Sequence, residues 1–518
     1  MKLITPAMIA EIDAFAVKSL SLSEETLIRR AGGAVADALF AEGVFLKNET
    51  YKKTVVLCGG GNNGADGYAA ALTLAERGVP VVAIDVFGKE QRSEGGKAVL
   101  REYKEKLGSP LTLADLPSIE GVGVYIDAML GTGASGKWPE AGNVASRFLN
   151  RQSAKRIAVD VPFGVNATDG TADACALQAD ITVVLSFMKK GLLSYPAKEK
   201  CGKLILADIG LNIAKVRRAF PKMEDAVDDE YVIKHLPARP ADSHKGTFGK
   251  ALLFSGSKKY RGAPLLATLA CLRGGVGLLT LVSEKEVIAA MGKKLPETIY
   301  HAMPPIEAWG EAERNEALAM SDGASALLVG PGSCVSEGLY AFVTALLSRE
   351  GCPLVLDADA ITSLSLHPAE AEKALAAAKR QVLMTPHPLE LARLACLTAQ
   401  EVQASRMPLA EALSARWRAA LLLKGAGTVV AADGIVSVNT TGSSALAKGG
   451  SGDVLSGLVT ALAAQGASAA EALRLGAYLH GKAGDTLAAE LSEYGVLPSD
   501  LPRQIAMEIA KIKIAASK

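Results

Sequence analysis

The stretch Val55-Val56-Leu57-Cys58-Gly59-Gly60-Gly61-Asn62-Asn63-Gly64-Ala65-Asp66-Gly67 passes from an apolar, β-branched run through a glycine turn into a helical pattern. A short run that is apolar at every position, rather than at alternate ones, predicts a strand buried on both faces of a parallel sheet. Glycines let the chain turn tightly and bring backbone N–H groups close to a ligand, and the following helix offers its N-terminus to an anion. Gly59, Gly61 and Gly64 also satisfy the spacing G-x-G-x-x-G, with Asp85 at the end of the next apolar run. That is the dinucleotide-binding pattern, although taken alone it also describes any tight strand–helix turn. Asn62, Asn63 and Asp66 go beyond it, because their side-chain oxygens suit a polar ligand or a hard cation.

Working outward, the same rhythm repeats. Apolar runs at 54–58, 79–86, 122–127, 156–161, 181–186 and 203–207 alternate with helical segments, and residues 7–40 read as helices. Runs of this kind predict a parallel sheet covered by helices on both faces. Residues 213–245 break the rhythm with charged and proline-containing segments, and the domain boundary is placed there. A second series follows at 251–255, 278–282, 326–329, 354–357, 381–384 and 420–423. It ends in a hairpin, 428–432 and 435–439, that turns at Asp433-Gly434. The expectation is an α/β chain of two domains, residues 1–220 and 228–518.

Composition agrees. The 518 residues are 49% hydrophobic and 21% charged, enough apolar material for large cores. A net charge of +1 argues against a nucleic-acid partner, which calls for a basic excess. The seven cysteines, Cys58, Cys175, Cys201, Cys271, Cys334, Cys352 and Cys396, are odd in number and form no Cys-x-x-Cys pair. They are expected as free thiols in a reducing compartment. No signal-peptide pattern and no apolar run long enough to span a membrane is read, so a cytoplasmic location is expected.

Two further strand ends of the first domain carry acids. Asp127 precedes the loop Gly131-Thr132-Gly133-Ala134-Ser135-Gly136-Lys137, and Asp160 ends Ile157-Ala158-Val159-Asp160. One acid at a strand end is commonly a helix cap. Three ends bearing Asn63, Asp127 and Asp160 beside glycine loops predict a site on the carboxyl edge of the sheet. Residues 131–137 fit G-x-x-x-x-G-K, but Trp138 stands where a P-loop needs a magnesium-binding hydroxyl, so a P-loop is rejected.

In the second domain the densest motif is Ala447-Lys448-Gly449-Gly450-Ser451-Gly452-Asp453-Val454, which opens an apolar helix at 454–464. Converging backbone N–H groups and a helix dipole make a cradle for a moving phosphoryl group. Asp453 in the first turn is placed to deprotonate a hydroxyl acceptor. Leu423-Lys424-Gly425-Ala426-Gly427-Thr428 ends a strand, the loop 255–264 enters a helix, and His387 sits between Pro386 and Pro388 just past another strand.

These motifs are identified with a known family. The loop Gly59–Gly67, the Asp127 loop and Asp160-Val161-Pro162 resemble the N-terminal domain of the NAD(P)H-hydrate repair family. The Gly-Gly-Ser-Gly-Asp run and its companions resemble that family's dehydratase domain. The resemblance covers about residues 1–212 and 235–515, in the family's fused order. It implies a Rossmann-like three-layer epimerase domain followed by a ribokinase-like α/β dehydratase domain. It implies epimerisation of R- and S-NADHX or NADPHX, then dehydration of the S form driven by ADP or ATP. For the epimerase it implies substrate contacts from Asn62, Asn63, Gly64, Ala65 and Asp66, from residues 131–137, and from Asp160 as acid and base. A potassium ion would sit near Asn63 and Asp127. For the dehydratase it implies Ala263, Gly332, His387 and Asp453 on the hydrate, and Lys424, Gly425, Ala426, Gly427, Thr428 and Gly452 on the adenine nucleotide, with Mg2+. It also implies a homo-oligomer.

The sequence departs from the family pattern in places. Ala65 stands where a second glycine is usual, and Phe163 replaces a serine that helps hold potassium. Leu389 stands where glycine is common after His-Pro, and residues 442–448 differ from the usual run. Three other functions share some of these features. One is a ribokinase-like kinase of a hydroxymethylpyrimidine or thiazole alcohol, another is a first domain that only binds a partner, such as RNA, and the third is an ordinary NAD oxidoreductase.

Overall fold

The computed structural model describes residues 2–20, 22–45, 51–89, 91, 93–134, 136–221 and 223–516. The chain divides into two compact units, Met1–Asp225 and Ala226–Lys518. Among the described residues no helix is long and apolar enough to cross a membrane. All seven cysteines are free.

The first unit is built on a seven-stranded parallel sheet. In spatial order its strands are Leu111–Thr112, Val81–Asp85, Lys53–Cys58, Val122–Ala128, Lys155–Val159, Ile181–Leu185 and Lys203–Ala207. The chain winds one way from Lys53–Cys58 and then the other way from Val122–Ala128, so a crevice opens between these two strands at their carboxyl ends. Val55, Val56 and Leu57 are fully buried, as expected for a central strand covered on both faces. The N-terminal helical region is two helices, Pro6–Ser19 and Glu24–Ala41, capped by Thr5 and Ser23. Four short strands escaped the sequence pattern: the edge strand Leu111–Thr112, and Glu224–Asp225, Lys2–Ile4 and Met188–Lys189, which form a small separate sheet. Each is too short to show a periodicity.

The second unit holds a nine-stranded sheet. In spatial order its strands are Ile299–Ala302, Leu278–Ser283, Lys250–Phe254, Ala326–Val329, Leu354–Leu356, Val382–Met384, Ala420–Leu423, Val429–Ala432 and Ile435–Val438. The first seven are parallel, and the last two form the antiparallel hairpin. The hairpin turns through Asp433 and Gly434, both at positive φ (54° and 72°), the conformation a two-residue hairpin turn requires. The edge strand Ile299–Ala302 was not anticipated, because it is only half-buried and carries Tyr300 and His301. The apolar helix after the glycine run begins at Ser451, three residues before its apolar stretch, and continues to Ala464. It packs on the helix Gly262–Arg273, where Gly457 lets it approach the Ala267 backbone.

Candidate functional site

In the first unit the glycine turn has a steric cause. A Cβ at Gly64 would collide with the Gly59 carbonyl, and one at Gly59 with the Met129 carbonyl, so the turn closes only with both glycines. Helix Asn62–Glu76 starts at once after it, with Gly61 as a cap that contributes no side-chain bond. Its first N–H groups are therefore left for water or a ligand. Residues Asn62 to Asp66 form this first turn rather than an open loop. Asn62 is exposed, Ala65 is buried against the core, and Asn63 is buried with its Nδ2 unpaired. A buried amide without a partner marks a place where a ligand can complete the bonding. Gly131 lies against the Asn63 side chain, so the two predicted loops do meet. Ser135 lies outside the described residues. Gly133, Gly136 and Lys137 stand at the exposed part of the same loop.

The strand-end acids play different parts. Asp85 bonds the Phe87 and Gly88 N–H groups, and so closes its own turn. Asp127 is fully buried and accepts from Met129 N (3.0 Å) and Phe163 N (2.7 Å). Burial pushes its carboxyl up to about 7, although both N–H groups hold it down. The Phe163 ring is buried in an apolar cluster against Trp138 and over Gly142. The residue thus serves Asp127 through its backbone, while its side chain fills the core. Asp160 sits at φ 67°, a conformation rare outside glycine. Its carboxylate accepts from Leu185 N (3.0 Å) and pairs with the buried Lys189 ammonium, which also donates to Leu185 O. Asp66 and Asp13 belong to the same group. Burial, followed by the Asp160 charge, raises both carboxyls, Asp13 to about 6. Asp13 lies on the first helix, and no sequence pattern singled it out.

In the second unit the elements converge on Asp453. Gly450 adopts φ 104°, which turns the chain into the helix at Ser451 with no side-chain cap. Lys424 directly follows the strand Ala420–Leu423 and lies beside Gly452. Its Nζ donates to Asp357 Oδ1 at 2.8 Å and lies 3.8 Å from Glu390 Oε2. Burial works against this ammonium, but Asp357 and Glu390 outweigh it and raise its pKa. Asp453 is pushed up to about 7, first by burial and then by the charges of Asp357, Asp359 and Glu390, which Lys424 only partly offsets. A carboxylate at that value takes a proton readily near neutral pH. Asp357 Oδ2 and Ser451 Oγ are buried without partners, and so is Nε2 of His480, whose ring lies beside the Ser451 backbone.

The other predicted residues have clear places. Gly332, at φ 66°, packs against Tyr260 and Ala263, which brings the loops 256–263 and 330–334 together. His387 caps the helix Pro388–Ala395, its Nδ1 accepting from Leu389 N and Glu390 N. Nε2, assigned as the protonated nitrogen, faces Glu390. Burial and the Lys424 charge lower its pKa. Gly425 and Ala426 are exposed, and Thr428 Oγ1 closes their turn on Gly425 O. Beneath them the fully buried Arg406 donates to Leu423 O and Lys424 O. Arg406 has no sequence signal, since the strand-end carbonyls it holds lie 17 and 18 residues away. Asp357 and Glu390 were within reach of one: the former follows an apolar run, and the latter completes a capping box with His387. Among the described residues no three His, Cys, Asp or Glu side chains are arranged to hold a metal ion.

Comparison with known proteins matches this division. A family model described as YjeF-related protein N-terminus matches residues 24–191, and one described as NAD(P)H-hydrate dehydratase matches residues 251–507. The bifunctional NAD(P)H-hydrate repair enzyme Nnr of Moorella thermoacetica is 32% identical, over 97% of this chain and 95% of its own. The protein of the same name from Escherichia coli K12 is 31% identical over 86% of this chain and 83% of its own. Among solved structures, the ADP/ATP-dependent NAD(P)H-hydrate dehydratase of Bacillus subtilis, co-crystallised with ATP and Mg2+, is 32% identical. It covers 55% of this chain and 97% of its own, with a TM-score of 0.47. With both family models matched in order and full-length relatives at this identity, the chain belongs to the bifunctional NAD(P)H-hydrate repair enzymes.

Proposed function

We propose that the first unit interconverts the R and S epimers of hydrated NADH or NADPH and that the second dehydrates the S form at the expense of ADP or ATP. Family membership supports the pair of activities. The single observation that carries the chemistry is Asp453, a carboxyl near neutral pKa in the first turn of a glycine-capped helix, facing one lysine. In this reading the 6-hydroxyl of the hydrate gives its proton to Asp453 as its oxygen attacks the terminal phosphoryl group of the nucleotide. The Gly449–Gly452 N–H groups and Lys424 take up the charge on that group. Hydroxide leaves poorly and phosphate leaves well. The C6–O bond then breaks with help from the ring nitrogen lone pair, C5 loses a proton, and the dihydronicotinamide is restored.

Residues 424–428 and Gly452 would hold the nucleotide, and Ala263, Gly332 and His387 the hydrate. Mg2+ would arrive on the phosphates, since it commonly binds through one or two carboxylates plus phosphate oxygens. Asp357, whose Oδ2 is unpaired, is one such carboxylate, and no three acids among the described residues are arranged to hold the ion without the phosphates. In the first unit Asp160, with Lys189 holding one carboxylate oxygen, would move protons at the hydroxyl-bearing carbon. Potassium would be held by oxygen atoms of Asn63 and Asp127. The residues present fit the ion poorly: the unpaired atom of Asn63 is its Nδ2 donor, both Asp127 oxygens already accept from backbone N–H groups, and the Phe163 ring, turned into the core, supplies no oxygen. Free cysteines suit a cytoplasmic location.

The test mixes purified protein with both hydrate epimers, ADP or ATP, Mg2+ and K+, and follows the absorbance of reduced nicotinamide. Full recovery is expected. Recovery of the S fraction alone would remove the epimerase half. Release of a stable phosphorylated alcohol in place of phosphate would remove the dehydratase half.

A further inference from the structure

Beside the loops that carry Ala263 and Gly332 lies a pocket the reaction so far leaves without a role. It opens at the carboxyl ends of Lys250–Phe254 and Leu278–Ser283 and is lined by Ser255, Ser283, Glu284, Ser333, Phe254 and Trp309. Its free interior of about 20 Å³ holds one small polar group.

Two observations say what kind of group. Glu284 is 7% exposed, and no hydrogen bond or ion pair among the described residues ends on its carboxylate. Its oxygens keep access to water through the pocket, and a ligand donor can take the place of that water. The donors around it are directed elsewhere. Ser255 Oγ donates to Pro331 O (2.6 Å), Ser283 Oγ to Gly256 O (3.4 Å) and Ser333 Oγ to Phe254 O (3.4 Å). Trp309 Nε1 donates to Pro304 O, and Gly256 N to Pro331 O. A hydroxyl has one proton to give, and Ser255, at 2.6 Å from Pro331 O, has committed its own and turns lone pairs toward the pocket. The pocket therefore presents acceptors and calls for a donor.

We infer that Glu284 binds the carboxamide NH2 of the hydrated nicotinamide ring, and so sets which end of the ring faces Asp453. The inference rests on the dehydratase reading above. The flanking loops are those that bear the proposed hydrate contacts, since Ser333 follows Gly332 and Gly256 begins the loop to Ala263. Beyond Ser333, Cys334 N donates to Asp359, one of the acids that act on Asp453. On the ring the 3-carboxamide and the 6-hydroxyl stand para to one another. A pocket that holds the amide at one end directs the hydroxyl out of the other.

The test compares two substrates on the full chain with ATP and Mg2+. One is the S-hydrate of NADH. The other is the S-hydrate of reduced 3-acetylpyridine adenine dinucleotide, where a methyl group replaces the NH2. Wild type is expected to favour the carboxamide by roughly 10- to 100-fold in kcat/KM, the usual cost of leaving a charged acceptor unpaired. Glu284→Ala brings the ratio close to one, and Glu284→Gln, which keeps an acceptor of the same size, retains part of it. An unchanged KM for ATP in both variants shows that the unit is folded. Equal use of the two hydrates by wild type, or an unchanged ratio in Glu284→Ala, overturns the assignment and leaves the dehydratase reading standing. No turnover of either hydrate overturns both. If Glu284→Ala keeps the preference but loses a dependence on K+ or NH4+, the pocket is a cation site and the inference fails.

Discussion

Asp453→Asn tests the dehydratase chemistry most sharply, because it removes the base and almost nothing else. Asparagine keeps the size and one acceptor but cannot take the proton. A positioned general base contributes about 10²- to 10⁴-fold, and kcat for S-NADHX is expected to fall by that amount with the nucleotide KM little changed. The structure adds a pH signature. With the Asp453 carboxyl at about 7, only its ionised form accepts the hydroxyl proton, so wild-type kcat/KM should rise with pH through that value. One unit below it, about a tenth of the plateau remains. The residual activity of the variant should be flat over the same range. Stability moves the other way. A carboxyl whose folded pKa is raised from 3.8 to about 7 favours the protonated fold. Its penalty is absent below the unfolded value, grows between the two and is complete above the folded one. The variant lacks this penalty, so above pH 7 it should melt at or above the wild-type temperature, and below pH 4 the two should coincide. Stopped-flow or steady-state absorbance across pH, with calorimetry on the same samples, measures both. A variant that keeps wild-type turnover, or that keeps the rising limb near pH 7, refutes the assignment of Asp453 as base.

Asp160→Asn should lower epimerisation by at least about 100-fold while the S epimer is dehydrated at the normal rate, so recovery from an epimer mixture stops at the S fraction. Phe163→Ser should not restore a family trait for free: the ring is fully buried, and its loss is expected to cost about 3–5 kcal/mol, read as a lower unfolding temperature with no gain in potassium-dependent activity. Arg406→Met removes the bonds that hold the Leu423 and Lys424 carbonyls. It should raise the nucleotide KM several-fold, with the hydrate KM unchanged, and equal rises in both would refute the loop-support role.

The layout of both sheets was legible because central strands of a parallel sheet are apolar at every position, and those runs lie where the strands form. One edge of each sheet was read, Lys203–Ala207 and Ile435–Val438, and the opposite edge was not. Leu111–Thr112 and Ile299–Ala302 are short, partly exposed and mixed in character. The glycine turns could be read because only glycine tolerates the contacts at Gly59 and Gly64. A lysine beside Asp160, Lys189 or Lys190, was expected, and Lys189 is there, whereas glycine spacing did not reveal that Asp127 is spent on two backbone N–H groups. Phe163 lies 36 residues from the acid it serves, and that separation along the chain hides the pairing. Arg406, Glu284 and His480 were invisible for the same reason: each is defined by what surrounds it, not by its sequence neighbours.

The acids around Lys424 carry a consequence for the order of events. Asp357, Asp359, Glu390 and Asp453 outnumber that single ammonium, so a polyphosphate entering alone meets repulsion. Each added negative charge makes the neighbouring carboxyls hold their protons more tightly, so nucleotide docking without a divalent counter-ion draws protons from the buffer. With the counter-ion bound, that uptake shrinks. The heat of binding thus varies with the buffer's own ionisation enthalpy, and the variation reports how far the metal, rather than the proton, neutralises the nest.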